Sequence, residues 1–177
     1  MTTLVDREII AWAEAEGVEP FKRSAVNPAS LNLRLGWRAM VEGQDGRMIQ
    51  VDLRGRDQAS PFRIAPGEWF LAETLERIDI PPTMEAEVCL RSSAARAGFD
   101  HCLAGYVDPG YQGRLTLEFV NCRRFADLWI YPGQELVQLR LRRLESAPIW
   151  HYGQTGRYQG DDSVRGCADP NVGRVEL

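Results

Sequence analysis

Apolar residues recur at two different periods along the chain. Between Asp6 and Gly17 they fall at helical spacing, with Ile9, Ile10, Trp12 and Ala13 on one side, which predicts a helix with Asp6 as N-cap and Gly17 as its end. After that helix the period shortens towards two. The segments Leu31–Leu35, Met48–Leu53, Trp69–Leu75, Glu85–Leu90, Arg114–Val120 and Glu135–Leu141 are brief, often alternating, and separated by Gly, Pro, Asp or Asn, so each predicts a strand. No run of helices alternates with them, which argues against a doubly wound parallel sheet and for a mainly β barrel or jelly-roll-like domain. Two turns, Asp108 to Gly113 and Tyr131 to Gln134, combine Pro and Gly in turn order. From His151 to Gly166 aliphatic residues almost cease and Gly, Gln, Asp and Arg take over. Residues 1–150 are therefore predicted as the domain, and 151–177 as a flexible tail or a frayed end.

Composition narrows this picture. The 177 residues, 44% of them hydrophobic, suffice for one buried core and are too few for two comfortable domains. A formal charge of −4 argues against a surface devoted to nucleic acid or to acidic membranes, so an anionic ligand has to be met by a local cluster. Lys22 is the only lysine among 21 basic residues. Codon bias is the simple reading of the arginine excess, although a planar five-donor fork also suits phosphate. The first residues carry acids and a tryptophan where a signal peptide needs a basic start and an apolar run, and no stretch approaches the ~20 apolar residues of a membrane span, so a cytoplasmic location is expected. Cys89, Cys102, Cys122 and Cys167 form no CxxC pair and are expected to be reduced packing residues.

Several familiar chemistries leave no trace. His101 and His151 lie in no HxE or HExxH arrangement and no PCxxC follows, so the zinc-hydroxide route of the common nucleobase deaminases is not available; GxSxG and Gly-rich phosphate loops are absent too. What remains is polar and dense. Arg91-Ser92-Ser93-Ala94-Ala95-Arg96-Ala97-Gly98 has the groups to converge on an anion, or is simply a solvated helix start. In the strand from Arg114, Leu115, Leu117 and Phe119 share one face, leaving Thr116 and Glu118 as a polar pair on the other, beside a tight turn. On an ordinary surface strand Glu118 is just a solvated carboxylate.

With these motifs in place the chain resembles the dCTP deaminase branch of the trimeric dUTPase-like superfamily over most of its length. The resemblance is carried in order by Leu4 to Ile9, Asn27 to Gly36, Pro66-Gly67-Glu68 with Leu71, Ala72 and Thr74, the RSSAARAG stretch, Val107-Asp108-Pro109-Gly110 with Gly113, Leu117-Glu118-Phe119, Pro132-Gly133-Gln134 with Gln138-Leu139, and Gly156 to Gly160. It implies a dUTPase-like distorted jelly-roll (β-clip) fold with a short N-terminal helix, and a zinc-free hydrolysis of dCTP to dUTP and ammonia. Glu118 is then the proton shuttle, with Arg96 and Ser92 holding it and the water. Arg91, Ser92 and Ser93 contact phosphates, in a substrate-binding segment that continues through Ala94, Ala95 and Arg96; Asp108 faces the deoxyribose, Thr116 to Glu118 through Leu117 face the base, and Gln138 meets the triphosphate. Tyr152 and Arg157 close over the nucleotide from the tail. Mg2+ is held through the phosphates with no metal ligand from the protein, and sites lie between subunits of a homotrimer. Asn32 in place of Asp, Arg157 in place of Lys, Asp161 in place of Gln and a one-residue deletion between Gly98 and Leu103 depart from the family pattern. The last touches His101 and Leu103, in a region linked in relatives to inhibition by dTTP. Two alternatives stay open: a bifunctional enzyme that goes on to dUMP and diphosphate, with Asp108 orienting a second water, and a nucleotide-binding regulator without turnover.

Overall fold

The computed structural model describes residues 1–102, 104–169 and 172. In chain order its elements are β1 (Thr2–Thr3), α1 (Asp6–Trp12), β2 (Val18–Glu19), β3 (Val26–Asn27), β4 (Ser30–Glu42), β5 (Met48–Asp52), β6 (Phe62–Ile64), β7 (Trp69–Asp79), β8 (Met84–Leu90), α2 (Ser92–Ala97), β9 (Phe99–His101), β10 (Tyr106–Val107), β11 (Gln112–Asn121), β12 (Leu128–Ile130), β13 (Glu135–Arg143) and α3 (Tyr152–Thr155). The architecture is mainly β, as the period-two pattern predicts. One curled antiparallel sheet runs β10-β8-β13-β4-β7-β11-β9, with β1, β2, β3 and β5 paired onto its flanks, and β6 with β12 makes a separate ribbon.

The long strands exceed their predicted lengths because each serves two neighbours in succession. The start of β4 pairs with β13, through Leu31↔Leu139 and Leu33↔Val137, while its second half pairs with β5 and β7, through Ala39↔Val51 and Ala39↔Ala72. Leu31, Leu33 and Leu35 of β4 join Phe70, Ile78, Leu117, Phe119, Leu139 and Leu141 in the core. Burying each such side chain stabilises the fold by roughly 1.5–3 kcal/mol.

Two of the sheet's register slips are filled by polar side chains of β7. The β4–β7 register slips between Leu35 and Ala39, and the carboxylate of buried Glu73 accepts from the amide of Trp37 there (3.1 Å). The β11–β7 register slips between Arg114 and Thr116, and the amide of Leu115 donates to the Thr74 hydroxyl (2.9 Å), which itself donates to Glu76 O (2.7 Å). A bulge strands one backbone group, and these side chains satisfy it.

The helix differs in detail from its prediction. Val5 is the N-cap, its amide donating to Glu8 Oε2 (3.1 Å), while Asp6 is the first helical residue and accepts from the Arg7 amide (2.7 Å). Regular helix ends at Trp12 and a wider turn spans Ala13–Gly17, with Glu16 rather than Gly17 in the left-handed region (φ 66°). Gly17 is needed for another reason. The Trp12 indole lies over it, so close that a Cβ would fall 2.3 Å from the ring, and the indole N–H donates to Asp79 O (3.1 Å).

Candidate functional site

Strand β11 places the predicted polar pair. Phe119, fully buried, stacks on Phe70 of β7 with centroids 5.2 Å apart, and meets Phe99 and His101 of β9 edge-on. With that side chain locked into the core, alternation turns Glu118 and Thr116 to the opposite face. Glu118 sits opposite Leu71 of β7, and its carbonyl accepts from the Cys102 amide on the other side (3.2 Å). Both residues line a cavity of about 320 Å³. Asp108, Tyr111, Tyr106 and Tyr152 line it too, with Trp69 and Leu71 as apolar wall. Its size, and a lining that sets aromatic and apolar walls beside acids and arginines, suit a small polar molecule.

Glu118 is not the solvated carboxylate of an ordinary strand. Its side chain is 28% exposed, and burial pushes its carboxyl above the usual range, opposed by its own backbone amide. His101, 5% exposed, stands with Nε2 3.9 Å from Glu118 Oε2, beyond hydrogen-bond reach. Both of these atoms are buried and neither has a partner within the described chain. Burial pushes the imidazole below its ordinary range, with the nearby Asp100 charge working the other way, so the neutral ring faces the carboxylate. Asp108 is likewise raised, by burial first and by Glu85 second. Desolvated carboxyls in a cleft are suited to proton transfer near neutral pH.

The tail lies over this cavity. His151 packs on the Asp108 turn, where Gly110 (φ 85°) leaves room; a Cβ there would sit 2.5 Å from His151 Nδ1. Tyr152 donates its amide to Pro109 O (2.8 Å) and rests its ring against Tyr111, and the amide of Gly160 donates to Gln112 O (2.7 Å). Further on, the amide of Arg114 donates to Asp161 O (2.6 Å), the Val164 amide to Glu73 Oε2 (3.2 Å) and the Arg165 amide to the Thr116 hydroxyl (3.3 Å). Tyr158, Asp161 and Arg165 thereby join the lining. The acid at 161 is paired with Arg165 Nη1 (3.3 Å), which offsets its charge towards an anion. Arg157 is not in the cavity lining; it pairs with Asp169. Residues 170, 171 and 173–177 of the tail, and Leu103, lie outside the described residues.

The other predicted groups are elsewhere. Of the segment Arg91 to Arg96, and of Gln138, none lines the cavity among its described residues. Ser92, Ser93, Ala95 and Arg96 on α2 are exposed and Ala94 is buried. Arg91 Nη1 donates to Glu135 Oε2 (2.9 Å) and to Glu135 O (3.0 Å), and Gln138 Oε1 accepts from Ser30 (2.8 Å). Asn32 donates to the same Glu135 oxygen as Arg91 (2.9 Å). One chain thus brings Glu118, Thr116, Leu117, Asp108 and Tyr152 together and leaves the arginine–serine segment apart. Among the described residues no three His, Cys, Asp or Glu side chains converge as a metal cage.

Sequence reasoning missed Glu73, Trp69, Tyr111 and Arg165. Glu73 stands two positions from Leu71 on an alternating strand, so its inward face was readable, but nothing in the sequence announces that it clamps a distant tail.

Strand β11 of a mainly β fold thus carries a desolvated carboxylate into an aromatic-lined cavity that the chain's own C-terminal segment covers. A solved 2'-deoxycytidine 5'-triphosphate deaminase from Agrobacterium tumefaciens shares the fold (TM-score 0.66, 24% identity), matching 80% of this chain, which spans 48% of that one. The protein belongs to the dCTP deaminase-like family, whose sequence model matches residues 3–144. It is 34% identical over 173 residues to "dCTP deaminase, dUMP-forming" of Rhodococcus opacus, covering 89% of this chain and 90% of that one. The protein of the same name from Methanopyrus kandleri is 36% identical over 185 residues, covering 92% and 93%. That of Aquifex aeolicus is 36% identical over 162 residues, covering 89% and 88%. No helix among the described residues is long and apolar enough to cross a membrane.

Proposed function

We propose that the protein hydrolyses the amine of dCTP and then cleaves the dUTP formed, releasing ammonia, diphosphate and dUMP. The observation that carries the deaminase reading is Glu118, a carboxylate desolvated at a nucleoside-sized cavity with one buried oxygen left unpaired. The names of the three relatives favour dUMP as the product over release of dUTP, so the bifunctional alternative replaces simple deamination as the leading reading.

In the proposed reaction Glu118 takes a proton from water as the oxygen attacks C4, and passes it to N3. It then carries the remaining hydroxyl proton to the exocyclic amine, so that ammonia leaves and the C4 carbonyl forms. One group with a raised pKa can act as base and acid in turn. This route asks for no zinc. Asp108 orients a second water towards the α-phosphorus and takes the proton that it gives up; the new P–O bond forms as diphosphate departs with the electron pair of the broken one. Mg2+, reaching the protein through triphosphate oxygens, would neutralise charge developing there.

Arg91, Ser92, Ser93 and Arg96 enter from a neighbouring subunit of a homotrimer. The proposal is supported by their position outside the cavity and by the exposure of Ser92, Ser93 and Arg96, whose side chains make no hydrogen bond or ion pair among the described residues. The deciding experiment incubates the purified protein with dCTP and Mg2+ and resolves the nucleotides by chromatography. dUMP without accumulating dUTP supports the proposal, accumulating dUTP reduces it to simple deamination, and unchanged dCTP overturns it.

A further inference from the structure

We infer that Glu135, a residue outside the cavity, is a positioning residue for the triphosphate: it holds Arg91 in the pose that meets phosphate and gathers Lys22 beside it. The inference rests on the reading of Arg91 as a phosphate ligand.

Glu135 opens β13 at the point where the β13–β4 register slips, between Glu135 and Val137. A bulge re-aims a side chain, and this one is turned to a cluster of donors. Oε2 accepts from Arg91 Nη1 (2.9 Å) and from Asn32 Nδ2 (2.9 Å), while Oε1 lies 3.5 Å from Lys22 Nζ. The same Arg91 nitrogen also donates to the Glu135 carbonyl (3.0 Å), and the Arg91 amide to Leu136 O (2.9 Å), so backbone and side chain of Arg91 are docked on one short piece of β13. Arg34, the residue paired with Glu135 in the sheet register, is occupied elsewhere: its Nε bonds Glu76 Oε1 (2.5 Å) and its Nη2 donates to Pro20 O (3.0 Å).

The cluster therefore holds two cations on one carboxylate, a net charge of +1 on a face that is only partly screened, since Arg91 is 32% and Lys22 50% exposed while Glu135 is 20% exposed. Asn32 contributes direction without charge. Its own oxygen accepts from Asn27 (2.8 Å), which fixes its amide to point its N–H at Glu135. An arginine on a long stem loses considerable rotamer freedom on meeting phosphate; ordering it beforehand removes that cost from binding. The lone lysine of the chain is then a second phosphate contact, shared through the same carboxylate.

The test measures binding of inorganic triphosphate and of dCTP by calorimetry to the full-length wild type, Arg91→Ala, Glu135→Leu, Arg91→Ala with Glu135→Leu, and Glu135→Leu with Asn32→Asp. Thermal melts check that each is folded. Losing a hydrogen bond to a charged group predicts about tenfold weaker triphosphate binding for each single variant. The double variant should bind no more weakly than Arg91→Ala alone, because Glu135 acts through Arg91. Returning a carboxylate at position 32, whose side chain shares the Glu135 oxygen with Arg91, should bring affinity back to within about threefold of wild type. Unaltered binding by Glu135→Leu, losses that multiply in the double variant, or a wild type that binds no triphosphate would overturn the inference. A wild type that binds triphosphate in this pattern yet releases no ammonia from dCTP would instead remove the deaminase reading and leave Glu135 in its role.

Discussion

Glu118 and Arg96 are assigned to one reaction, yet the chain treats them in opposite ways. Around Glu118 the fold is closed: β7 and β9 flank it, Phe119 locks its strand, and the tail is tied down at Glu73 and Thr116. Around Arg96 it is open, with an exposed six-residue helix. A proton-transfer group gains from desolvation, which moves its pKa towards neutrality. A cation meant for a triphosphate gains from staying hydrated until its ligand arrives, and from an ordered scaffold such as the one Arg91 finds on Glu135.

Four experiments break or sharpen that contrast. The largest effect belongs to Glu118→Gln, which should lower the deamination rate by about 10²–10⁴-fold, measured by ammonia release, with dCTP affinity nearly unchanged. Substantial residual turnover would remove Glu118 as the shuttle. Next, Glu118→Gln and Arg96→Ala chains, each inactive alone, should regain activity when unfolded and reassembled together. Random mixing across shared sites restores about a quarter of them, whereas sites built within one chain restore none. Third, the deamination kcat/KM should fall as pH is lowered through the raised Glu118 pKa, at a higher pH than an ordinary carboxylate would give. A profile flat down to the usual carboxylate range would contradict the burial argument.

The smallest effect is on stability. A folded-state pKa above the unfolded one means that the stability linked to this group is present in full at acid pH and is lost as pH rises through the folded value. At neutral pH the ionised Glu118 is therefore a cost. Glu118→Gln should raise the Tm there, and the gain should shrink towards pH 4. An equal gain at both pH values would show that packing, not charge, is the cause.

How much of this was legible beforehand varied with the range of the interaction. The alternation of Leu115, Leu117 and Phe119 announced which way Glu118 faces, and the turn from Asp108 to Gly113 announced the start of its strand, because both are local properties of the backbone. The N-cap was misplaced by one residue because Glu8, not Asp6, supplies the capping oxygen. Leu31–Leu35 was only the first part of β4, since Gly36 and Trp37 interrupt the pattern at a bulge that Glu73 fills. The tail offered no periodicity at all, and its backbone is held instead by side chains and strand edges 40 or more residues away.

By itself, then, the sequence determined most of the long strands and the faces they present, because each follows from neighbours a few residues apart, while the chemical set came from the resemblance of its motifs to a family. Tertiary structure alone decided which members of that set meet. It drew Glu118, Asp108 and Tyr152 to one cavity, set Arg91 on Glu135, and left Ser92, Ser93 and Arg96 facing outward. Those outcomes depend on registers and bulges that sum over the whole sheet, and a shift of one residue in any of them would turn the same side chains to the opposite face.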